Sequence, residues 1–152
     1  MRLTVVALML VLGACRSGSR SGTPLGTVGA VGPKQAAEQF LASIRREDVQ
    51  ATSLIWGSAK GPARELIRDR NELEKRILVM QCNLNHDSFR IVSDVPSEGA
   101  KRTLKVELRR GSLVAQTTMV ATPGPNQKWF IENTDLVPMR GFCSNQPQEQ
   151  KR

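Results

Sequence analysis

Two hydrophobic periods divide this chain. From residue 33 to about 84, apolar side chains return every three or four positions, the spacing of helices buried along one stripe. From residue 88 onward they alternate with polar ones, the spacing of strands covered on one face. Ahead of both lies an unbroken apolar run at residues 3–12.

Within the helical half, Pro33 stands where a first-turn proline is favoured, and Ala36, Ala37, Phe40, Leu41 and Ile44 follow at helical spacing. This first helix is expected to end near Arg46. Asp48 fits the N-cap of a short second helix over 49–55, closed by Trp56-Gly57. Pro62 opens a third helical piece over 63–69. Asn71 with Glu74 three residues on resembles a capping box at the head of the longest helix. Leu73, Ile77, Met80 and Leu84 form one stripe of that helix, while Leu78, Val79 and Cys82 lie opposite. Apolar residues on two sides predict a helix wedged between two layers. The charged pairs Arg68/Glu72, Arg70/Glu74 and Glu72/Arg76 fall at i,i+4 and predict ion pairs on the helix surface, worth about 0.3–0.5 kcal/mol each.

In the alternating half, Phe89, Ile91 and Ser93 share one face of a strand ending at Pro96, and Ser97-Glu98-Gly99 is a turn. Leu104, Val106 and Leu108 alternate with Lys105, Glu107 and Arg109, the pattern of a half-buried strand that carries Lys105 and Arg109 on its outer face. Arg110-Gly111 turns into a strand over 113–122. A loop over 123–126 leads to a last strand over 128–137, whose core side is either Trp129 with Ile131 or Phe130. Helices first and an antiparallel meander afterwards predict an α+β domain, N-terminal helices packed on a curved antiparallel sheet.

The apolar run at 3–12 follows a single positive charge, Arg2, and is too short to cross a bilayer, which takes about 20 residues. It ends in Leu12-Gly13-Ala14-Cys15. That sequence resembles the bacterial lipobox: a branched aliphatic residue, two small residues and a cysteine. The resemblance implies that 1–14 is a lipoprotein signal peptide, that the Cys15 thiol carries diacylglycerol and that the new amino terminus is acylated. It places the protein in a bacterial cell envelope, held to membrane by a lipid anchor. Arg16 is not the aspartate that marks inner-membrane retention in enterobacteria, which points to the periplasmic side of the outer membrane in a two-membrane cell. Residues 15–33 then form the lipidated cysteine and a Gly/Ser-rich tether, 34–143 a single domain, and 144–152 a disordered polar tail.

Within the domain, Ala36-Ala37-Glu38-Gln39-Phe40-Leu41, the turn Arg46-Glu47-Asp48 into Val49-Gln50-Ala51, and the terminal Trp129-Phe130-Ile131 resemble the nuclear-transport-factor-two-like, or cystatin-like, superfold. The resemblance implies helices closed over a concave sheet, with an apolar pocket that serves some members as a binding cavity or partner surface and others as a cyclase or dehydratase site. This chain departs from the family in having four clear strands where members often have more.

The formal charge of +8 would raise nucleic acid in a cytosolic protein. For an exported chain no nucleic acid is expected, and the matching anions are lipid head groups and acidic wall polymers. Lys101, Lys105 and Arg109, with Arg102 and Arg110 beside them, are the anion-binding candidates; a plain solvated face is the alternative. With Cys15 taken by lipid, Cys82 and Cys143 remain as an even pair in an oxidising compartment and are expected to form a disulfide. Two cysteines make no structural zinc site, which wants four ligands, and no metal or cofactor is expected. His86 is the only histidine and the sole catalytic candidate. Its neighbour Asp87 points to the opposite face of an extended chain and is badly placed to orient an imidazole. The expectation is a non-enzymatic domain that binds a small apolar ligand or an envelope protein partner, with a cyclase- or dehydratase-like enzyme and an envelope assembly factor as alternatives.

Overall fold

The computed structural model describes residues 26–144. The apolar run at 3–12, Cys15, the first part of the Gly/Ser-rich stretch and the residues from 145 lie outside the described residues. The helices are α1 (Pro33–Arg45), α2 (Val49–Ile55), α3 (Ala63–Leu66), α4 (Arg70–Leu84) and α5 (Arg140–Ser144). Strands β1 (Gly57–Ser58) and β2 (Gly61–Pro62) pair as a minimal hairpin, and β3 (Ser88–Pro96), β4 (Arg102–Arg110), β5 (Leu113–Pro123) and β6 (Trp129–Thr134) form an antiparallel sheet in that order. The architecture is α+β, with helices packed on one face of the sheet.

The core forms where the helical and alternating periods meet. Phe40, Leu41 and Ile44 of α1, with Ile77 and Leu84 of α4, meet Leu104, Val106 and Leu108 of β4 and Met119, Ala121 and Ile131 of β5 and β6; all of these side chains are fully buried. Burial of each large side chain contributes about 1.5–3 kcal/mol. Asp48 caps α2 by accepting from the Ala51 amide at 2.9 Å. Behind it, Thr52 Oγ1 lies 2.9 Å from Ser43 Oγ and 2.8 Å from the Asp48 carbonyl oxygen, a buried polar seam joining α1 to α2.

Several boundaries move, each for a physical reason. The third helix stops at Leu66 rather than 69, because Asp69 caps α4 instead, accepting from the amides of Asn71 at 2.9 Å and Glu72 at 3.3 Å. The Asn71–Glu74 capping box is therefore replaced by a cap two residues earlier. A β-bulge after Ile91 shifts the register of β3, so Ser93 pairs with Lys105 on the outer face rather than joining Phe89 and Ile91. The last strand ends at Thr134, and Met139 and Phe142 of the following segment enter the core.

The second side of α4 is not wedged as expected. Leu78 and Val79 are 50% and 53% exposed, and only Cys82 is engaged there, bonded to Cys143 of α5 with 4.8 Å between Cα atoms. The bond, spanning 61 positions, fastens the C-terminal segment to the end of the long helix. The folded region also begins before the expected boundary at residue 34. The Gly29 amide donates to the Leu54 carbonyl at 3.0 Å, and Ala30 exchanges backbone hydrogen bonds with Trp129 at 2.9 and 2.8 Å, so chain from Gly29 onward belongs to the fold. Ile131 is fully buried in the core and Trp129 packs against it, while Phe130 is buried between Gly29 and Gly124. Gly29 has φ +61°, and a Cβ there would lie 2.7 Å from Lys128 Cβ and 3.0 Å from Phe130 Cζ.

Replacing Cys82 and Cys143 together by serine should lower the unfolding free energy by about 4 kcal/mol on the chain-entropy account; urea denaturation reads the loss, and an unchanged midpoint would refute a stabilising bond. Gly29→Ala should cost about 1–3 kcal/mol through its left-handed backbone and the crowding of Phe130. A melting temperature equal to that of the parent chain would count against that packing.

Candidate functional site

His86 sits between α4 and β3 and is 2% exposed. Its Nδ1 lies 2.8 Å from the Leu84 carbonyl oxygen, which can only accept, so Nδ1 carries the proton in the neutral ring. The ring edge meets Phe89 with centroids 5.6 Å apart. Nε2 is buried and has no partner. Asp87 does not orient the imidazole: its carboxylate accepts from the Gly111 amide at 2.7 Å, and its backbone joins Arg109 and Arg45. Desolvation by burial holds the His86 pKa below its ordinary value; the nearby Arg45 charge acts in the same direction, while the Leu84 carbonyl and Asp87 oppose it.

The concave face that the family resemblance assigns to a pocket is filled by Phe40, Leu41, Ile44, Ile77 and Met119. Four surface clefts are lined by residues of the helices, the β1–β2 hairpin, the loops and β6. None of the four takes in Leu104, Val106, Leu108 or Met119.

The basic candidates on the sheet are largely matched by carboxylates. Lys101 Nζ lies 2.6 Å from Glu132, which raises its pKa. Arg109 contacts Glu107 at 3.0 Å, and the opposite oxygen of Glu107 faces Arg90 at 3.2 Å and Gln116 at 3.4 Å. These donors, Arg109 foremost, lower the Glu107 pKa. Arg102 pairs with Asp94 at 2.7 Å, and Arg110 donates to the Phe142 carbonyl at 2.6 Å. Lys105 is exposed on the outer face and makes no ion pair among the described residues. The expected ridge exists as positions on a strand but not as a free positive field.

Unmatched charge gathers elsewhere. A cleft of about 330 Å³ between α2, α3 and α4 is lined by Arg64, Arg68 and Arg70 over the apolar Val49, Ile67 and Leu73. None of the ion pairs among the described residues includes these three arginines. Of the three expected i,i+4 pairs only Glu72/Arg76 forms, at 2.7 Å. Arg68 falls between two helices, outside i,i+4 geometry, whereas Arg70 opens α4 one turn before Glu74 and still forms no ion pair with it. A second, more open cleft of about 550 Å³ lies between Val79 and Asn83 of α4 and the 133–140 segment. Among the described residues, no group of three or more His, Cys, Asp or Glu side chains is placed to hold a metal ion.

No family model, curated protein or solved structure matches this chain. Its site is therefore read from its own residues.

Because the folded chain resists protonation at His86 and the unfolded chain does not, this residue's contribution to stability is whole above the unfolded pKa of about 6.5 and declines as pH falls below it. Urea denaturation from pH 7.5 to about 5.5, above most carboxylate titration, should show this decline, and His86→Phe should flatten it. An equal slope in the variant would contradict the assignment.

Proposed function

We propose that this protein is a lipid-anchored component of the bacterial cell envelope that works by binding and not by catalysis. The anchor reading rests on Leu12-Gly13-Ala14-Cys15 at the end of a short apolar run, and on a Gly/Ser-rich stretch that would let a folded domain stand off the membrane. The arrangement at His86 carries the non-enzymatic reading. The one imidazole in the chain is buried, its Nδ1 proton is held by a carbonyl, and the adjacent carboxylate is engaged by a turn amide. A general base needs reach to a substrate proton; the Leu84 carbonyl orients the ring, but the buried Nε2 has no such reach. The resemblance to the nuclear-transport-factor-two-like superfold supports a binding role in the same limited way, as a scaffold that holds many functions.

With the concave face filled by core side chains, the binding surface in this reading is on the outside of the domain. The partner is an envelope component: a membrane lipid, a small ligand or another protein of the same compartment.

Metabolic labelling with palmitate tests the anchor. The parent chain should incorporate the label and Cys15→Ser should not; label retained on the variant would overturn the lipobox reading.

A further inference from the structure

We propose that the cleft between α2, α3 and α4 is a binding site for the phosphodiester head group of an anionic phospholipid, in the leaflet that carries the chain's own anchor. This rests on the reading of Cys15 as lipidated.

Charge supplies the first argument. Two of the carboxylates near Arg64, Arg68 and Arg70 are engaged elsewhere: Asp69 caps α4 through two backbone amides, and Glu72 is held by Arg76, while Glu65 of α3 stands outside the cleft lining. Glu74 is the one carboxylate in the lining, against three guanidinium groups. Guanidinium suits a phosphate through paired N–H donors, and each basic group near an anionic surface strengthens attachment. The lining is also apolar where Val49, Ile67 and Leu73 meet. A cleft that sets unpaired arginines over an apolar floor suits the boundary between head groups and acyl chains better than open water.

Chain path supplies the second argument. The described chain enters the fold at the end of α2, where Gly29 bonds to Leu54, and Val28 and Pro62 line one small cleft immediately ahead of α3. The N-terminal side therefore reaches the fold beside two of the three helices that frame the arginine cleft. Gly29 lies fourteen positions after Cys15. That length spans at most about 50 Å when extended and about 20 Å as a flexible coil. A domain held so near the bilayer meets its head groups at high effective concentration, so a weak site suffices. On the sheet's basic ridge Glu107, Asp94 and Glu132 already face Arg109, Arg102 and Lys101, which leaves Lys105 as a single exposed cation without an ion pair among the described residues.

Hydrogen exchange on the protein produced from its full chain and reconstituted in nanodiscs tests this. Discs of phosphatidylcholine are compared with discs rich in phosphatidylglycerol. Amides of 63–73 should exchange more slowly on the anionic discs only, and high salt should remove the effect. Arg64→Ala with Arg68→Ala and Arg70→Ala should abolish it, at about fivefold in affinity per arginine removed. Arg140→Ala, in the other cleft beside Val79 and Asn83 toward the far end of α4 and in no ion pair among the described residues, should leave it intact, and unchanged protection in β4 certifies the fold. Glycerol phosphate added to neutral discs should give no comparable protection; if it does, the bilayer is not the source of the anion and the proposal fails. Equal protection on both disc types, or protection that survives the triple variant, would also overturn it. Retention on both disc types without protection overturns this proposal alone, whereas release from both overturns the anchor and the proposal with it.

Discussion

Phe40, Leu41 and Ile44 lose all contact with solvent because α1 is enclosed by α2 and α4 on its helical sides and by β4, β5 and β6 below. This enclosure is the constraint that the remaining elements answer. The turn after α1 reverses through Glu47, a non-glycine residue at φ 55°, so that α2 can lie back against it. Ser43, buried on α1, must then satisfy its hydroxyl inside the domain, and does so through the Phe40 carbonyl at 2.7 Å with Thr52 alongside. The N-terminal segment and α5 are later additions to the same core: Ala30 seals the edge at Trp129, and Phe142 covers the end held by Cys82. The interior is thereby filled from within, with Phe40, Leu41, Ile44, Ile77 and Met119 buried between the helices and the sheet.

A filled interior moves the functional question to the surface, where the supply of carboxylates decides it. Twenty-two basic residues share the chain with fourteen acidic ones. Every carboxylate placed on the sheet removes a cation from the list of binding candidates, and Glu107 alone engages two arginines. On the helical side, Asp69 serves backbone amides instead, which stabilises α4 and at the same time leaves neighbouring arginines unmatched. A cap is thus a structural choice with an electrostatic consequence.

The fold class was legible because periodicity reports it directly: α1, α2, α4 and the four long strands all lie where the apolar spacing put them, and the Asp48 cap forms as its position predicted. The Cys82–Cys143 pair was legible from number and compartment without any geometry. The losses fall where one element meets another. The β3 bulge, the burial of Phe130 beneath two glycines and the docking of 139–142 depend on contacts between distant segments, which no local period encodes. Likewise, Leu78 and Val79 share an apolar side with Cys82, but only the cysteine has something to meet.

The arginine cleft shows how a small displacement hides a site. Pairing Arg68 with Glu72 and Arg70 with Glu74 requires one helix to run through 68–76. Asp69 is a stronger N-cap than Asn71 is a helical interior residue, and its carboxylate can meet two amides at once only if the helix begins immediately after it. Once the cap is set there, Arg68 leaves the helix and loses its i,i+4 relation to Glu72, while Arg70 occupies the first helical position. The signal was present in the sequence as an aspartate between two arginines, preceded by Pro62 and a short apolar pair. Its meaning turned on which of two neighbouring caps the backbone prefers, and from that preference follow both the unmatched charge and the cleft that collects it.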